Sequence, residues 1–366
     1  MTKKINLIVL ATLLPYLLYC ALQLGPTWDV FFHYEFGRDR LNYLLSLGAN
    51  EINTDIQVSK YYTGAYSTIS AFFVQIFPRR YNLEAIYFFN SIFSTLAIFG
   101  IYKITKEFFN KQIGQITFLI CFFNPIFFGH MAMNGMDTII AFANIWCFYA
   151  IIRYLKYQQD NEKRRNYVIY CGLFLGLGLG VRYSFLITLV PILLFSLIEI
   201  FYLKIYVNIK FSKKLFFLDT IKVLAIAYFF MVLFWPHTHQ NIFLLPFKLA
   251  IEAFSFGFGV PFILFNGEIF QPYELPKSYI LINLFYKMPE FIILSFILFI
   301  CLFFKIGPHF EKEFKGFYFK IFTILLIILF PNILFLVSPY AVYDGLRLFL
   351  FLIPFICIIP AILIFF

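Results

Sequence analysis

The sequence predicts an all-α, polytopic membrane protein with about ten transmembrane helices. The chain is 62% hydrophobic and 13% charged, whereas soluble domains are about 45–50% apolar and about 25% charged. Several apolar runs approach the length of about 20 residues that a helix needs to cross a bilayer. These runs are continuous instead of alternating between apolar and polar residues, which excludes the β-barrel class of membrane protein.

The predicted spans occupy ten apolar runs and form a single transmembrane domain over 1–366. Their bounds are 5–23, 86–102, 113–130, 138–152, 168–182, 184–203, 216–235, 290–304, 318–337 and 348–366. The first run follows Lys3 and Lys4 and lacks a small-x-small cleavage site, so we expect it to remain as an uncleaved anchor. The last run stops at Phe366 within apolar sequence, which leaves open whether the protein ends there or continues.

The loops between the spans fall into two sets that differ in charge. One set carries 17 Lys or Arg against 5 Asp or Glu: 1–4, 103–111, 153–165, 204–214 and 305–315. The other carries 10 basic against 12 acidic residues: 24–85, 130–137, 182–183, 236–290 and 338–347. Because cytoplasmic loops accumulate Lys and Arg, the first set and the amino terminus are predicted to be cytoplasmic, and the second set to face outward. This bias explains the net charge of +10 without nucleic acid as a partner. We expect a bacterial inner membrane in preference to the endoplasmic reticulum.

Two of the outward-facing loops are long, and long structured loops are usually functional. The first, 24–85, contains the segment 62–77, which is either an eleventh span or a helix lying in the membrane interface. As a span it would place 153–165 and 204–214 outside, against the charge bias, so we interpret it as interfacial. The second loop, 236–289, is apolar enough to hold another interfacial helix at about 243–265.

Two carboxylates at predicted outer span ends are the candidates for proton transfer. Asp29 lies in the first outer loop, where apolar neighbours would remove part of its solvation; this favours a role as a base, although it could instead cap a short helix. His33 shares a helical face with Asp29 and Tyr34 follows it, as supporting or purely structural partners. Asp137 precedes the fourth span, where a carboxylate is costly to bury, so it serves either the chemistry or as the cap of the helix from 138.

Cations on the same face are candidates for binding an anion. Arg182 ends the fifth span, whose glycines at 172, 176, 178 and 180 indicate close helix packing and not a nucleotide-binding loop, because no strand precedes them. This arginine either extends to the lipid headgroups or meets an anionic ligand. Arg347 ends the segment Tyr-Asp-Gly-Leu-Arg, which begins with Tyr343 and Asp344, so Asp344 and Arg347 could simply pair. Lys277 is a further outward-facing cation.

The sequence contains no clear metal-binding pattern. His237 and His239 are two residues apart and could ligate a metal only with distant partners. The six cysteines lie in apolar runs at irregular spacing, so we expect neither a metal site nor disulfides from them. No metal ligand and no cofactor is therefore assigned, and a requirement for a divalent metal stays open.

The order of these features is informative. A single span leads to a long outer loop with an early Asp near Trp, His and Tyr, and a short outer loop carries a second Asp. An Arg then closes a glycine-rich span, and a late Pro-x-Ser-Tyr and Lys-Met-Pro-Glu segment leads to Tyr-Asp-Gly-x-Arg-x-Phe-Leu-Phe. Over almost the whole chain, through short motifs, this order resembles the C-type membrane glycosyltransferases, in particular the protein O-mannosyltransferase and aminoarabinose-transferase-like group. Many members have paired acids in the first loop, whereas here Val30 follows Asp29.

The resemblance implies an enzyme that takes a sugar from a polyprenyl-phosphate carrier on the non-cytoplasmic side, with Asp29 and Asp137 as catalytic residues. Polyprenyl phosphate is a good leaving group near neutral pH, so the chemistry needs a carboxylate to accept the acceptor's proton and cations to hold the phosphate. Asp29 would be the base. The phosphate would bind Arg182, Arg347 and Lys277, supported by His33, Tyr34, Tyr343 and Asp344. The other partners are membrane lipids and an unspecified protein, lipid or glycan acceptor.

Two other classes share a membrane location and outward-facing charges. A flippase or transporter of lipid-linked sugars would show internal repeats with broken helices near the midplane, and the sequence shows no such repeat. A polymerase or ligase of surface polysaccharide would share the outer-face site and differ mainly in its acceptor.

Overall fold

The computed structural model is predominantly helical and describes residues 3–52, 60–207, 210–255, 262–338 and 340–366. Six helical segments within these residues are long and apolar enough to cross a membrane: Arg79–Phe108, Gly135–Tyr157, Lys213–Leu233, Glu290–Glu313, Phe317–Val337 and Arg347–Phe365. The predicted class, an all-α polytopic membrane protein, is confirmed. The count of about ten spans is not confirmed.

The helices are numbered in chain order. The first eight are α1 (Lys3–Leu22), α2 (Val30–Leu45), α3 (Ala65–Val74), α4 (Asn82–Phe108), α5 (Lys111–Phe122), α6 (Pro125–His130), α7 (Gly135–Tyr157) and α8 (Asn161–Val181). The others are α9 (Phe185–Thr188), α10 (Val190–Ile198), α11 (Lys213–Leu233), α12 (Leu245–Ser255), α13 (Tyr279–Lys287), α14 (Glu290–Glu313), α15 (Phe317–Val337), α16 (Ile353–Ile356) and α17 (Ile358–Phe365). Short 3-10 or π-helical turns lie at Arg79–Tyr81, Glu199–Leu203, Pro236–Thr238 and Arg347–Leu352.

Three predicted spans are interrupted, and proline accompanies each interruption. The run 113–130 divides into α5 and α6 at Pro125, which has no amide hydrogen with which to continue α5. Oδ1 of Asn124 then caps α6 by accepting hydrogen bonds from the next two free N–H groups, each at 3.1 Å. The run 184–203 divides into α9, α10 and a π-helical turn, and the run 348–366 into a 3-10 segment, α16 and α17.

The two predicted interfacial segments have different outcomes. Within 62–77, α3 has 10 residues, which is too short to cross a bilayer core at about 1.5 Å per residue. Within 243–265, α12 ends at Ser255, residues 256–261 lie outside the described part, and strand β1 (Ile263–Phe265) pairs antiparallel with β2 (Glu268–Phe270). The predicted helix is therefore wrong at its end. Asn266 and Gly267 both adopt positive φ, 51° and 85°, as a tight hairpin turn requires.

Helix α7 lies at the centre of the fold, where it packs against α4 and α8 and is buried over most of its length. Helix α8 packs in turn against α11. A β-carbon on Gly172 would lie 2.7 Å from Cβ of Ile226, and one on Gly176 would lie 2.8 Å from Cβ of Phe230. The prediction that the α8 glycines serve close packing is confirmed. The start of α7 and the end of α8 come to lie side by side at one end of the bundle.

Candidate functional site

Charged side chains from four separate segments meet at the end of the bundle that is predicted to face outward. Asp29 precedes α2, Asp137 lies in the first turn of α7, Arg182 follows α8, and Arg347 begins the 3-10 segment before α16. Nη1 of Arg182 lies 2.8 Å from Oδ1 of Asp137, and Nε of Arg347 lies 3.3 Å from Oδ2 of Asp137. The Arg347 guanidinium also pairs with Asp29 and, at 3.2 Å, with Asp344. We call these five residues the outer cluster.

Asp137 is the buried centre of the outer cluster, with 3% of its side chain exposed. Each of its carboxylate oxygens faces a guanidinium, and the amino-terminal end of α7 adds the positive end of the helix dipole. Asp137 does not cap a helix from 138, since α7 begins at Gly135 with Asn134 at the cap position. A buried carboxylate with two cationic partners holds both cations in place, because removing either partner would leave a costly buried charge.

Asp29 is more accessible than Asp137, with 37% of its side chain exposed. It occupies the cap position of α2, yet its side chain makes no capping hydrogen bond. The neighbouring Trp28 is 98% exposed, so Asp29 lies against the Arg347 guanidinium and not in the apolar surroundings expected from the sequence. An accessible carboxylate that does not hold its own helix can accept a proton from a bound substrate.

A tyrosine of α4 positions the loop before Asp29. The Tyr87 hydroxyl donates a hydrogen bond to the carbonyl of Gly25 at 2.7 Å and accepts one from the N–H of Thr27 at 3.1 Å. Tyr87 itself is fully buried. It is one of 25 tyrosines in the chain and lies in an apolar run, so the sequence carries no signal for this role.

The loop before Asp137 is held from the same helix, α4. The Asn90 amide donates a hydrogen bond to the carbonyl of Ala132 at 2.6 Å, and the Ser94 hydroxyl donates one to the carbonyl of Met131 at 2.8 Å. Both side chains are buried. Polar residues in an apolar span are a signal that the sequence does offer, since a buried polar group requires a partner. Helix α4 therefore fixes both acid-bearing segments relative to each other.

His33 lies one helical turn beyond Asp29 and is uncharged near pH 7. Burial lowers the pKa of His33 to about 4, although the negative charge of Asp29 acts in the opposite direction. Nδ1 of His33 lies 3.4 Å from the hydroxyl of Ser67 on α3. Tyr34 has a different contact, because its hydroxyl accepts a hydrogen bond from the Asn82 amide at 2.9 Å. Tyr34 thus joins α2 to the start of α4, and the structure gives it no ion or hydrogen-bond contact with the described residues of the outer cluster.

A tight turn carries Asp344 to the outer cluster. Asp344 and Gly345 both have positive φ, 54° and 65°, and the N–H of Gly345 donates to the Tyr279 hydroxyl at 2.8 Å. The preceding Tyr343 is largely enclosed, and burial raises its pKa. Tyr343 is therefore a neutral hydrogen-bonding group near pH 7, within electrostatic range of Arg182.

The lysine beside this turn is Lys287, at the end of α13. A β-carbon on Gly345 would overlap its Nζ, so the glycine makes room for the lysine. Lys277 is exposed, and it makes no ion pair within the described part of the chain. Lys287 stands in the Lys-Met-Pro-Glu segment, and that motif is the signal that could have identified it from the sequence.

The two arginines differ in how fully they are occupied. Arg347 is shared by the carboxylates of Asp29, Asp137 and Asp344. Arg182 pairs with Asp137 alone among the described residues, and 22% of its side chain is exposed. Because a guanidinium has five N–H donors, Arg182 keeps donors for a bound anion. The partner of Arg182 is thus the buried acid Asp137. The sequence had also allowed an arginine that extends to the lipid headgroups, and the structure does not place it there.

Within the described ranges, no group of three or more His, Cys, Asp or Glu side chains is arranged to hold a metal ion. Guanidinium groups lie between the carboxylates of the outer cluster. Nε2 of His239 lies 2.9 Å from the carbonyl oxygen of Val232, and the six cysteines are free thiols. The groups in this region with the charge to bind an anion are therefore the Arg and Lys side chains.

The fold is similar to those of solved ArnT structures and of an archaeal oligosaccharyltransferase. ArnT from Cupriavidus metallidurans bound to undecaprenyl phosphate matches with a TM-score of 0.63 at 11% identity, over 99% of this chain and 60% of that chain. Its apo state matches with a TM-score of 0.60 at 12% identity, over 99% and 59%. The oligosaccharyltransferase of Archaeoglobus fulgidus in its apo form matches with a TM-score of 0.57 at 13% identity, over 96% and 50%. This chain thus spans about 60% of the length of the ArnT chains.

A family model matches just under half of the chain. Residues 65–238 match the dolichyl-phosphate-mannose-protein mannosyltransferase family. The matched region contains Asp137 and Arg182, whereas Asp29 and Arg347 lie outside it. A comparison with curated proteins found no match. Family match and fold together confirm the resemblance inferred from the sequence motifs, and the protein is an integral, multi-pass membrane protein.

Proposed function

We propose that this protein is a glycosyltransferase that moves a hexosyl or pentosyl group from a polyprenyl-phosphate-linked donor to an acceptor on the outer face of a bacterial inner membrane. One observation carries the proposal: the outer cluster joins three acids and two arginines whose positions differ by up to 318 residues. These residues meet at helix ends in a fold shared with a protein bound to undecaprenyl phosphate. Burying charged side chains in a membrane protein costs free energy, so a buried cluster of this kind favours a functional role.

The proposed reaction exchanges one bond and transfers one proton. The acceptor hydroxyl oxygen attacks the anomeric carbon of the sugar, and the bond between that carbon and the phosphate oxygen breaks. Polyprenyl phosphate leaves with the bonding electron pair, and Asp29 takes the hydroxyl proton. Asp137 does not touch the reacting atoms in this scheme; it holds Arg182 and Arg347 in position for the phosphate.

The balance of charges in the outer cluster supports a role in binding an anion by exchange of partners. Three carboxylates share two guanidiniums there, so the cations are in short supply. A donor phosphate that reaches Arg347 competes with Asp29 for it. Phosphate binding would then release Asp29 from its ion pair and leave it free to act as the base. Arg182, with donors to spare, would make the first phosphate contact, and Lys287 would supply the third cation in place of Lys277.

The test is a single-enzyme transfer assay. Purified protein in liposomes receives polyprenyl-phospho-sugars that carry a labelled hexose or pentose, with membrane extract as the source of acceptor. We expect free polyprenyl phosphate and labelled acceptor from at least one donor, and neither product from the Asp29→Asn variant. Movement of intact donor across the bilayer without cleavage would instead identify a flippase and overturn the proposal.

A further inference from the structure

A groove between two helices lies away from the outer cluster. It has a volume of about 680 Å³ and opens between α8 and α11, near Asn161 and Lys222, at the end of the bundle predicted to be cytoplasmic. A volume of this order is typical of a ligand site, where about 300–1,000 Å³ is usual. The mechanism proposed above makes no use of it.

The groove forms where the close packing of α8 on α11 ends. Gly172 and Gly176 hold the two helices together, with Gly172 against Ile226. Residues 161–171, the amino-terminal half of α8, contain no glycine, so the helices are farther apart there. The groove runs between Ile226 and these first turns of α8. Val168 and Ile169 form one apolar wall, and Ala225 and Ile226 form the other.

The mouth of the groove is positively charged. Asp219 inside it is already neutralised, since it lies 2.9 Å from Nζ of Lys222 and 3.5 Å from Nε of Arg164 and accepts a hydrogen bond from the Tyr154 hydroxyl at 3.0 Å. Arg165 also lines the mouth, is exposed, and has no ion-pair partner in the described ranges. Three cations therefore face two acids, Glu162 and Asp219, at this mouth.

We propose that this groove binds an acidic phospholipid of the inner leaflet, with its phosphate at Arg165 and Lys222 and one acyl chain along the apolar walls. Two observations select an amphiphile. A soluble anion would leave the Val168–Ile169 wall uncovered, and a neutral lipid would leave Arg165 without a counter-charge. The groove is also reached from the lipid side, because Ile221 and Leu224 of α11 are 49% and 53% exposed. Basic pockets between helices on the cytoplasmic side commonly bind acidic headgroups.

The experiment is native mass spectrometry of the full-length protein, titrated with phosphatidylglycerol or with phosphatidylcholine of the same acyl chains. The test variant Arg165→Gln/Lys222→Gln removes two cations at the mouth. The control Arg79→Gln/Arg80→Gln removes two exposed cations at the other end of the bundle. We expect apparent affinity for phosphatidylglycerol to fall about tenfold or more in the test variant and to stay unchanged in the control, in keeping with the loss of charge-assisted contacts.

A second variant tests the apolar half of the site independently. Ile169→Trp fills the groove without changing its charge, and we expect it to weaken phosphatidylglycerol binding as well. Equal binding of phosphatidylcholine and phosphatidylglycerol by the wild type would overturn the proposal, as would equal losses in the test and control double variants. Competition by inorganic phosphate at the same concentration as the lipid would assign the mouth to a soluble anion instead, and would overturn it too.

Discussion

The two ends of the helix bundle use the same kinds of charged side chain in opposite proportions. In the outer cluster one cation, Arg347, is shared by three acids. At the other end two acids have two cations each: Glu107 pairs with Arg153 and Lys156, and Asp219 with Arg164 and Lys222. We call these last six residues the inner cluster.

The difference in proportion determines what an incoming anion would do to the ion pairs already present in each cluster. In the inner cluster, Glu107 joins α4 to α7 and Asp219 joins α11 to α8, and each acid is fully compensated. An anion that binds beside these pairs, as proposed at Arg165 and Lys222, adds a charge to the set and displaces no acid. In the outer cluster the acids compete for Arg347, so an incoming anion redistributes existing ion pairs instead of adding to a finished set.

The two clusters are predicted to face opposite sides of the membrane, and this predicts an all-or-none labelling result. In a cysteine-free background, Asn50→Cys should react with an impermeant maleimide in intact cells, because the first outer loop is predicted to face outward. Asn161→Cys, beside the inner cluster, should react only after permeabilisation. Labelling of the second position but not the first in intact cells would reverse the topology and put the proposed site in the cytoplasm.

The next largest effect is expected for Asp29→Asn, which keeps the size of the side chain but removes the oxygen that accepts the proton. Turnover should fall by about 100-fold or more, the usual loss when a general base is removed. Glu35→Gln is the matched control, since it removes an exposed carboxylate of α2 that pairs only with Arg38 among the described residues. Retention of more than about a tenth of wild-type turnover by Asp29→Asn would show that Asp29 is not the base.

An intermediate effect is expected for the arginines. Arg182→Ala and Arg347→Ala should each weaken donor binding by roughly tenfold to hundredfold, from the loss of about 1.5–3 kcal/mol of charge-assisted contacts. Arg182→Ala should have the larger effect on affinity, because Arg347 is already occupied by three acids. Lysine at either position should rescue only partly, since an ammonium cannot make the bidentate contact. The measurement is donor affinity by equilibrium binding, and unchanged affinity in both alanine variants would remove the arginine pair from the mechanism.

The smallest effect on activity is expected in the inner cluster. Arg153→Ala removes one of two cations from Glu107, whose side chain is 14% exposed, and should lower the free energy of unfolding by about 1–3 kcal/mol. The Tm in detergent should fall while turnover per folded molecule stays at the wild-type level. Lys163→Ala, which breaks an exposed pair with Asp160, should change neither quantity. A loss of turnover in Arg153→Ala at unchanged Tm would contradict the structural role of the inner cluster.

The sequence was most informative about single residues with an unusual setting. An acid or arginine at the end of an apolar run is easy to recognise, because burying its charge costs free energy. Five such residues meet in the structure: Asp29, Asp137, Arg182, Asp344 and Arg347. The sequence predicted less where a contact depends on residues that are distant along the chain. Lys287 and Lys277 look alike in sequence, and only the turn at Gly345 distinguishes them. Likewise, the apolar composition of 243–265 concealed the hairpin turn at Asn266-Gly267.

What the sequence determined by itself is the membrane class, the predicted orientation and the residue types available at each face. These follow from the length of apolar runs and from the position of Lys and Arg, which are local properties of the chain. What only the tertiary structure decided is the pairing: that Asp137 is shared by Arg182 and Arg347, and that Tyr87 holds the loop before Asp29. The physical reason is distance along the chain. An ion pair between positions that differ by 318 residues depends on how every intervening helix packs, and no local pattern records it.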